Sequence, residues 1–308
     1  MAEGAAAPGS YTFVDSPSRL PGLIAAATGY HSWGLTPGLH RGLPSPYLTF
    51  IFALDEEPII GGDTPELARS AEAPRATVML GGLHRAPAYV VQPRQQAGIQ
   101  LAVHPLAARR LFGTPARALT DLVGDGAAVL GPEAERLRQR MAELPGWPQR
   151  FDALWDYLRR RADRAERRPG PSPAVAAAWH RLAASGGTSR VEDVAAHVGY
   201  GTRRLNQLFA AEVGLSPKQV GRLVRFDLAR RQIATQVRRT GRCDLARVAA
   251  ERGYFDHPHL VRDFRQFTGT SPTAWIAEEI ASVAAAEVPA VPVPAGRADH
   301  GTPARALP

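Results

Sequence analysis

The sequence predicts an α+β protein of two domains: a small β-sandwich or barrel with trailing helices, then an all-α domain in which two helix-turn-helix motifs are joined by a long helix. Three observations predict it. Between Tyr47 and Val103, short runs rich in β-branched and aromatic residues alternate with Pro, Gly and charge clusters. After His104-Pro105 the apolar spacing turns helical. Between Val191 and Trp275 one short pattern is written twice. Val194-Ala195-Ala196-His197-Val198-Gly199-Tyr200 returns as Val248-Ala249-Ala250-Glu251-Arg252-Gly253-Tyr254, an offset of 54. Leu205, Phe209, Gly214, Ser216 and Pro217 return as Leu260, Phe264, Gly269, Ser271 and Pro272 at an offset of 55, so the second turn has gained one residue.

In chain order, the strands are expected at Tyr47-Leu48-Thr49-Phe50-Ile51-Phe52, Ala76-Thr77-Val78-Met79-Leu80, Ala88-Tyr89-Val90-Val91 and Ile99-Gln100-Leu101-Ala102-Val103. Three helices should lie behind the sheet. The first carries Leu106 and Leu111, the second runs from Pro132 to Leu144, and the third carries Phe151, Leu154, Trp155 and Leu158. The run from Arg159 to Arg168, followed by Pro169-Gly170-Pro171, reads as a charged linker. These signals divide the chain into a β-rich domain with a helical extension over residues 11–168 and an all-α domain over 174–280. A tail over 287–308, rich in Pro, Ala and Gly, is expected to be disordered.

Each copy of the repeat makes sense as a helix-turn-helix. A short helix carries a small residue, Ala195 or Ala249, and four positions on comes Gly199 or Gly253, which tolerates the positive φ of a sharp helix stop. The next helix pairs Leu205 with Phe209, or Leu260 with Phe264, on the side that packs. Its other face stays polar: Arg203, Arg204, Asn206 and Gln207 in the first copy, His257, His259, Arg262 and Arg265 in the second. These side chains can donate to base edges or grip phosphate. Ser189 with Glu192 has the spacing of a capping box, and Ser216-Pro217 and Ser271-Pro272 each set a capping hydroxyl before a first-turn proline. Val175, Ala178, Trp179 and Leu182 form a helical stripe ahead of the repeat, and Val220, Leu223, Val224, Asp227, Leu228 and Arg231 mark the joining helix from about Lys218 to Arg238.

Charge agrees with a nucleic-acid partner. The chain carries +8 at pH 7, and from Ala174 to Ile280 sixteen Lys and Arg face ten Asp and Glu, so +6 of that charge lies there. Lys218 is the single lysine; the arginines suit bidentate recognition. No segment reaches the roughly 18 apolar residues a membrane span needs and the first residues carry no apolar run, so a cytoplasmic location without membrane contact is expected. The single Cys243 cannot form an internal disulfide, and beside Asp244 it reads as a passive loop residue rather than a redox-sensitive thiol. No cofactor is expected. His31, His40, His84 and His104 lack metal-ligand spacing, and a His pair at i,i+2 such as His257 and His259 does not share a helical face. Trp33, Tyr47, Phe50 and Tyr89 are candidates to line a ligand pocket, although aromatics at strand spacing more often fill a core.

The stretch from about Ala174 to Glu279, with its terminal Phe264-Arg265-Gln266-Phe267-Thr268-Gly269-Thr270-Ser271-Pro272-Thr273-Ala274-Trp275, resembles the DNA-binding domain of the AraC/XylS family of bacterial transcription regulators. The resemblance covers about a third of the chain. It implies base-facing positions at Arg203, Asn206 and Gln207 in the first recognition helix and at His257, His259 and Arg262 in the second. Pro258 departs from the polar residue usual at its position and cannot donate a hydrogen bond. The resemblance further implies a transcription activator whose partners are double-stranded DNA and RNA polymerase, with room for a small-molecule effector and a homodimer. More loosely, the first half is similar to the β-rich sensor or dimerisation domains that precede such modules, in the passage Gly98-Ile99-Gln100-Leu101 to Leu111-Phe112-Gly113. The alternative is a DNA-binding module fused to an enzymatic or alkyl-acceptor domain. That chemistry needs reactive cysteines in a zinc or active-site setting, and no such set, phosphate loop or catalytic triad stands out, so no enzyme is expected.

Overall fold

The computed structural model of the protein describes residues 9–165 and 170–285. The expected tail at 287–308 and residues 166–169 of the expected linker lie outside the described residues. In the first half run strands β1 (Ser10–Ser16), β2 (Ile24–Trp33), β3 (Gly38–Gly42), β4 (Leu48–Ala53), β5 (Ile59–Gly62), β6 (Arg75–Ala76), β7 (Val78–Gly81), β8 (Ala88–Gln92), β9 (Gln96–Val103) and β10 (Gly124–Asp125). Helices α1 (Pro65–Arg69), α2 (Ala108–Phe112), α3 (Gly126–Leu130), α4 (Pro132–Glu143) and α5 (Trp147–Arg164) accompany them. The strand pairs are antiparallel, in a six-stranded sheet of order β1-β2-β9-β4-β7-β10 and a four-stranded sheet of order β3-β8-β5-β6.

The period-2 alternation of a strand sorts the residues of the large sheet onto two different faces. Leu48, Phe50 and Phe52 of β4 and Ile99, Leu101 and Val103 of β9 are fully buried in one core with Leu111, Leu154 and Trp155 of the helices. Their neighbours Thr49, Ile51 and Gln100 point the other way, into a cavity of about 330 Å³ whose opposite wall is the small sheet, with His40, Ile59 and Val90. The helices thus cover one face of the sheet, and the other remains partly hollow. Gly98 belongs to this design, because a Cβ there would meet the Tyr30 hydroxyl at 2.4 Å.

The linker expected from Arg159 is instead helix as far as Arg164. Leu158 and Ala162 continue the buried stripe, and the Arg161 guanidinium donates to the Leu111 and Leu130 carbonyls at 2.9 and 3.1 Å, so these charges hold an α-helix against its neighbours.

The second half consists of α6 (Pro173–Ala184), α7 (Val191–His197), α8 (Thr202–Glu212), α9 (Pro217–Thr240), α10 (Leu245–Glu251), α11 (His257–Thr268) and α12 (Pro272–Ala285). Ser216 and Gln219 form a reciprocal capping box at the start of α9, with Pro217 in its first turn. The Ser271 hydroxyl accepts from the Ala274 N–H at 3.2 Å at the start of α12. The Ser189–Glu192 box does not form. Arg190 is the N-cap of α7 without a side-chain bond, and the Ser189 N–H instead bonds the Ser185 hydroxyl at 3.2 Å, held by the tight turn that ends α6.

A second core unites Val175, Trp179, Leu182, Val194, Leu205, Phe209, Val220, Phe226, Val248, Leu260, Phe264 and Trp275. The two halves touch. Leu106, from the first half in sequence, packs into this second core, and the His104 ring meets Trp179 at 5.2 Å. The Arg109 Nε donates to both Glu212 oxygens at 2.8 and 2.9 Å. Arg41 of β3 pairs with Glu278 and donates to the Thr268 carbonyl at 3.2 Å.

Candidate nucleic-acid interface

The two turns of the repeat are realised as its sequence demands. Gly199 and Gly253 take φ values of +73° and +68°, where a side chain would be strained. Val194 and Ala195 of α7 and Val248 and Ala249 of α10 are buried under Leu205 and Phe209 of α8 and Leu260 and Phe264 of α11, all four of the latter fully inaccessible. With that face fixed, the opposite face of each second helix must point outward. Arg203, Arg204 and Gln207 on α8 are exposed, and so are His257, Arg262 and Arg265 on α11.

The charge on these faces is not consumed internally. Among the described residues, Arg203, Arg204, Arg262 and Arg265 form no ion pair. Other arginines of the same half are spent on structure: Arg222 pairs with the buried Asp263 at 2.6 Å, and Arg230 and Arg231 share the buried Asp227 at 2.9 and 2.7 Å. A buried carboxylate needs such partners. An exposed guanidinium left without one keeps its five donors for an incoming acceptor.

Two of the expected contact residues are partly engaged. Asn206 donates from Nδ2 to the Thr202 carbonyl at 2.8 Å, leaving its Oδ1 available. His259 turns back on its own turn: its ring meets Tyr254 edge-on at 5.1 Å and its Nδ1 accepts weakly from the Phe255 N–H at 3.4 Å. Asp256 caps α11 by accepting from the His259 N–H at 2.7 Å, and Pro258 sits in the first turn, where its missing N–H costs nothing. The expected set therefore splits, with His257 facing outward and His259 bracing the turn.

Sequence reasoning missed Arg225 and Phe255. From α9, Arg225 donates to the Gly253 carbonyl at 3.2 Å and the Gly187 carbonyl at 3.1 Å, and its guanidinium lies 5.3 Å from the Tyr254 ring centroid. It ties the second turn to the loop ahead of the first motif, and no local pattern marks it. Phe255 is 93% exposed in the extra residue of the second turn, next to His257. The shift in repeat offset was its sequence signal. A bare aromatic at that point can lie against a thymine methyl or a sugar.

In the cavity of the first half, none of Trp33, Tyr47, Phe50 and Tyr89 is a lining residue. Phe50 is core, Trp33 is 44% exposed, and Tyr47 and Tyr89 lie toward the second half, beside Asp227 and Arg231 and beside Gly269. The lining aromatics are Tyr11, Phe13 and Tyr30. Among the described residues no three His, Cys, Asp or Glu side chains gather into a metal site, and no helix is long and apolar enough to cross a membrane. Burial and the neighbouring Asp244 push the Cys243 thiol up, and it donates to Gln236 Oε1 at 3.2 Å.

Paired helix-turn-helix units that share one joining helix and present unpaired arginines define the class of DNA-binding transcription regulators. A family profile described as a helix-turn-helix domain matches residues 194–278, and this segment is a helix-turn-helix domain of the AraC type. No curated protein matches the chain. Among solved structures the chain is similar to ToxT from Vibrio cholerae, at 10% identity over 82% of this chain and 97% of that one with a TM-score of 0.45. A structure of ToxT bound to an unsaturated fatty acid gives 10% identity over 81% and 94%, with a TM-score of 0.46. The AraC-like transcriptional activator CuxR gives 12% identity over 73% and 86%, with a TM-score of 0.28.

Proposed function

We propose that the protein is a sequence-specific transcription activator that reads two successive major-groove segments of double-stranded DNA, with α8 in one and α11 in the next. RNA polymerase is the partner that activation requires. The first half modulates this binding, through a small-molecule effector in its cavity or through dimerisation. The observation that carries the reading is the set of exposed arginines on α8 and α11 that form no ion pair among the described residues. In this assignment Arg203, Asn206, Gln207, His257 and Arg262 read bases, Arg204 and Arg265 grip phosphate, and His259 supports the turn.

Footprinting of the full chain on a selected site tests it. Protection should cover two groove segments centred about 10 base pairs apart on one face of the duplex, as one chain carrying both helices demands. Protection of a single segment would overturn the two-helix reading. Arg203→Ala or Gln207→Ala should cost about 1–3 kcal/mol and relax preference at particular base pairs, more than His257→Ala or His259→Ala does. Affinity should fall with salt at a log-log slope of about −0.9 per phosphate contact.

A further inference from the structure

The cavity between the two sheets has a chemical bias that the chain as a whole does not. The sequence carries 37 Lys and Arg, yet among the described residues none of them lines this space. Two carboxylates do, the half-buried Asp55 and the exposed Glu57. Asp55 accepts from the Ala97 N–H through one oxygen, and among the described residues neither it nor Glu57 has an ion-pair partner. The remaining polar groups are neutral. Among the described residues the Tyr30 hydroxyl has no hydrogen-bond partner, and the side-chain amides of Gln96 and Gln100 are equally unengaged. Phe13, Ile51 and Met79 supply apolar wall.

From this we propose that the cavity binds a compact organic cation, an amine or ammonium compound with an apolar body, whose charge is met by Asp55 and Glu57 and by the faces of Tyr11, Phe13 and Tyr30. The inference rests on the reading of the first half as an effector-binding unit. A volume of about 330 Å³ suits a molecule at the small end of those that pockets enclose. An anionic ligand would be desolvated there opposite two carboxylates with no cation among the described lining residues, a cost that the neutral donors of Tyr30, Gln96 and Gln100 offset only in part. A cation gains from both the carboxylates and the negative ring faces. The histidines do not supply the missing positive charge either. Burial lowers the pKa of His40, with Arg41 adding to the shift, and burial lowers that of His84, so both are neutral near pH 7. Burial and the Asp55 carboxylate push the Tyr30 phenol up, so it remains a donor.

The test uses the full-length protein and three probes that share one body: 3-phenylpropylamine, 3-phenylpropan-1-ol and 3-phenylpropionate, with binding followed by calorimetry and thermal shift. The amine should bind at least about tenfold more tightly than the alcohol, and the acid should bind more weakly than either. Asp55→Asn preserves the acceptor for the Ala97 N–H, and with Glu57→Gln it should collapse the amine-over-alcohol preference to within about threefold. Acid binding as tight as amine binding would overturn the proposal. So would a preference that survives both substitutions, or no binding of the amine up to about 5 mM. DNA binding of each variant, measured in parallel, reports on folding. Loss of site-specific DNA binding by the unsubstituted protein would sink the regulator reading and leave the probe series to decide the cavity's chemistry by itself.

Discussion

At the scale of single residues, His104 is held in its neutral form by its surroundings. Its Nδ1 accepts from the Leu106 N–H at 3.2 Å, a role the protonated ring cannot fill, and its ring packs edge-on against Trp179. Burial, with the nearby His180 adding to it, lowers its pKa to about 4. A histidine whose folded pKa lies below its unfolded value contributes stability that is present above the unfolded pKa and is lost as pH falls toward the folded one. The loss should therefore run from about pH 6.5 down to about 4 and amount to at most about 3 kcal/mol. His104→Asn keeps a capping acceptor and removes the titration. Urea unfolding between pH 7 and pH 4 should then show a flatter acid limb than the unsubstituted protein, and an identical limb would mean that His104 does not set it.

At the scale of elements, α8 is held from two sides. Its apolar face joins the helical core, and its last residue, Glu212, is buried beneath Arg109 of α2. Arg109→Ala strands that carboxylate, and we expect about 2 kcal/mol of destabilisation, reduced from the fully buried case because the Arg109 side chain is 34% exposed. Adding Glu212→Gln should restore most of the loss. If the double variant were as unstable as the single one, the pair would not be the cause. Much of this architecture was legible in the sequence. Leu205 with Phe209, Gly199 and the Ser216-Pro217 step are local signals, and their recurrence 54 to 55 positions later removed the ambiguity of any one copy. Strands β1, β2, β3 and β5 were not legible. Ile24-Ala25-Ala26-Ala27-Thr28-Gly29 of β2 is poor in β-branched residues, and its strand state comes from pairing with β1 and β9 on either side. The cavity was hidden for the same reason, since Tyr11, Phe13 and Tyr30 reach it from those strands.

At the scale of the whole molecule, the fragment from Ala174 to Glu279 should fold alone, bind DNA as a monomer and lose regulated control, because both recognition helices and nearly all of the second core lie within it. It should nonetheless melt at a lower temperature than the same half in the full chain, since Leu43, Leu83 and Leu106 no longer cover it. Sedimentation, a DNA gel shift and a reporter assay of both proteins check this. A fragment that responded to growth conditions as the full chain does would remove the first half from regulation. The loan of Leu106 to the helical core has another side. A gene recombined at the stretch between α5 and α6 would join a foreign sensor to a reader with a vacant apolar slot and an unmatched Glu212. Such a chimera should fold and bind DNA as the isolated reader does, but melt below the parent chain unless the incoming sensor brings a leucine-sized residue and an arginine at these two places.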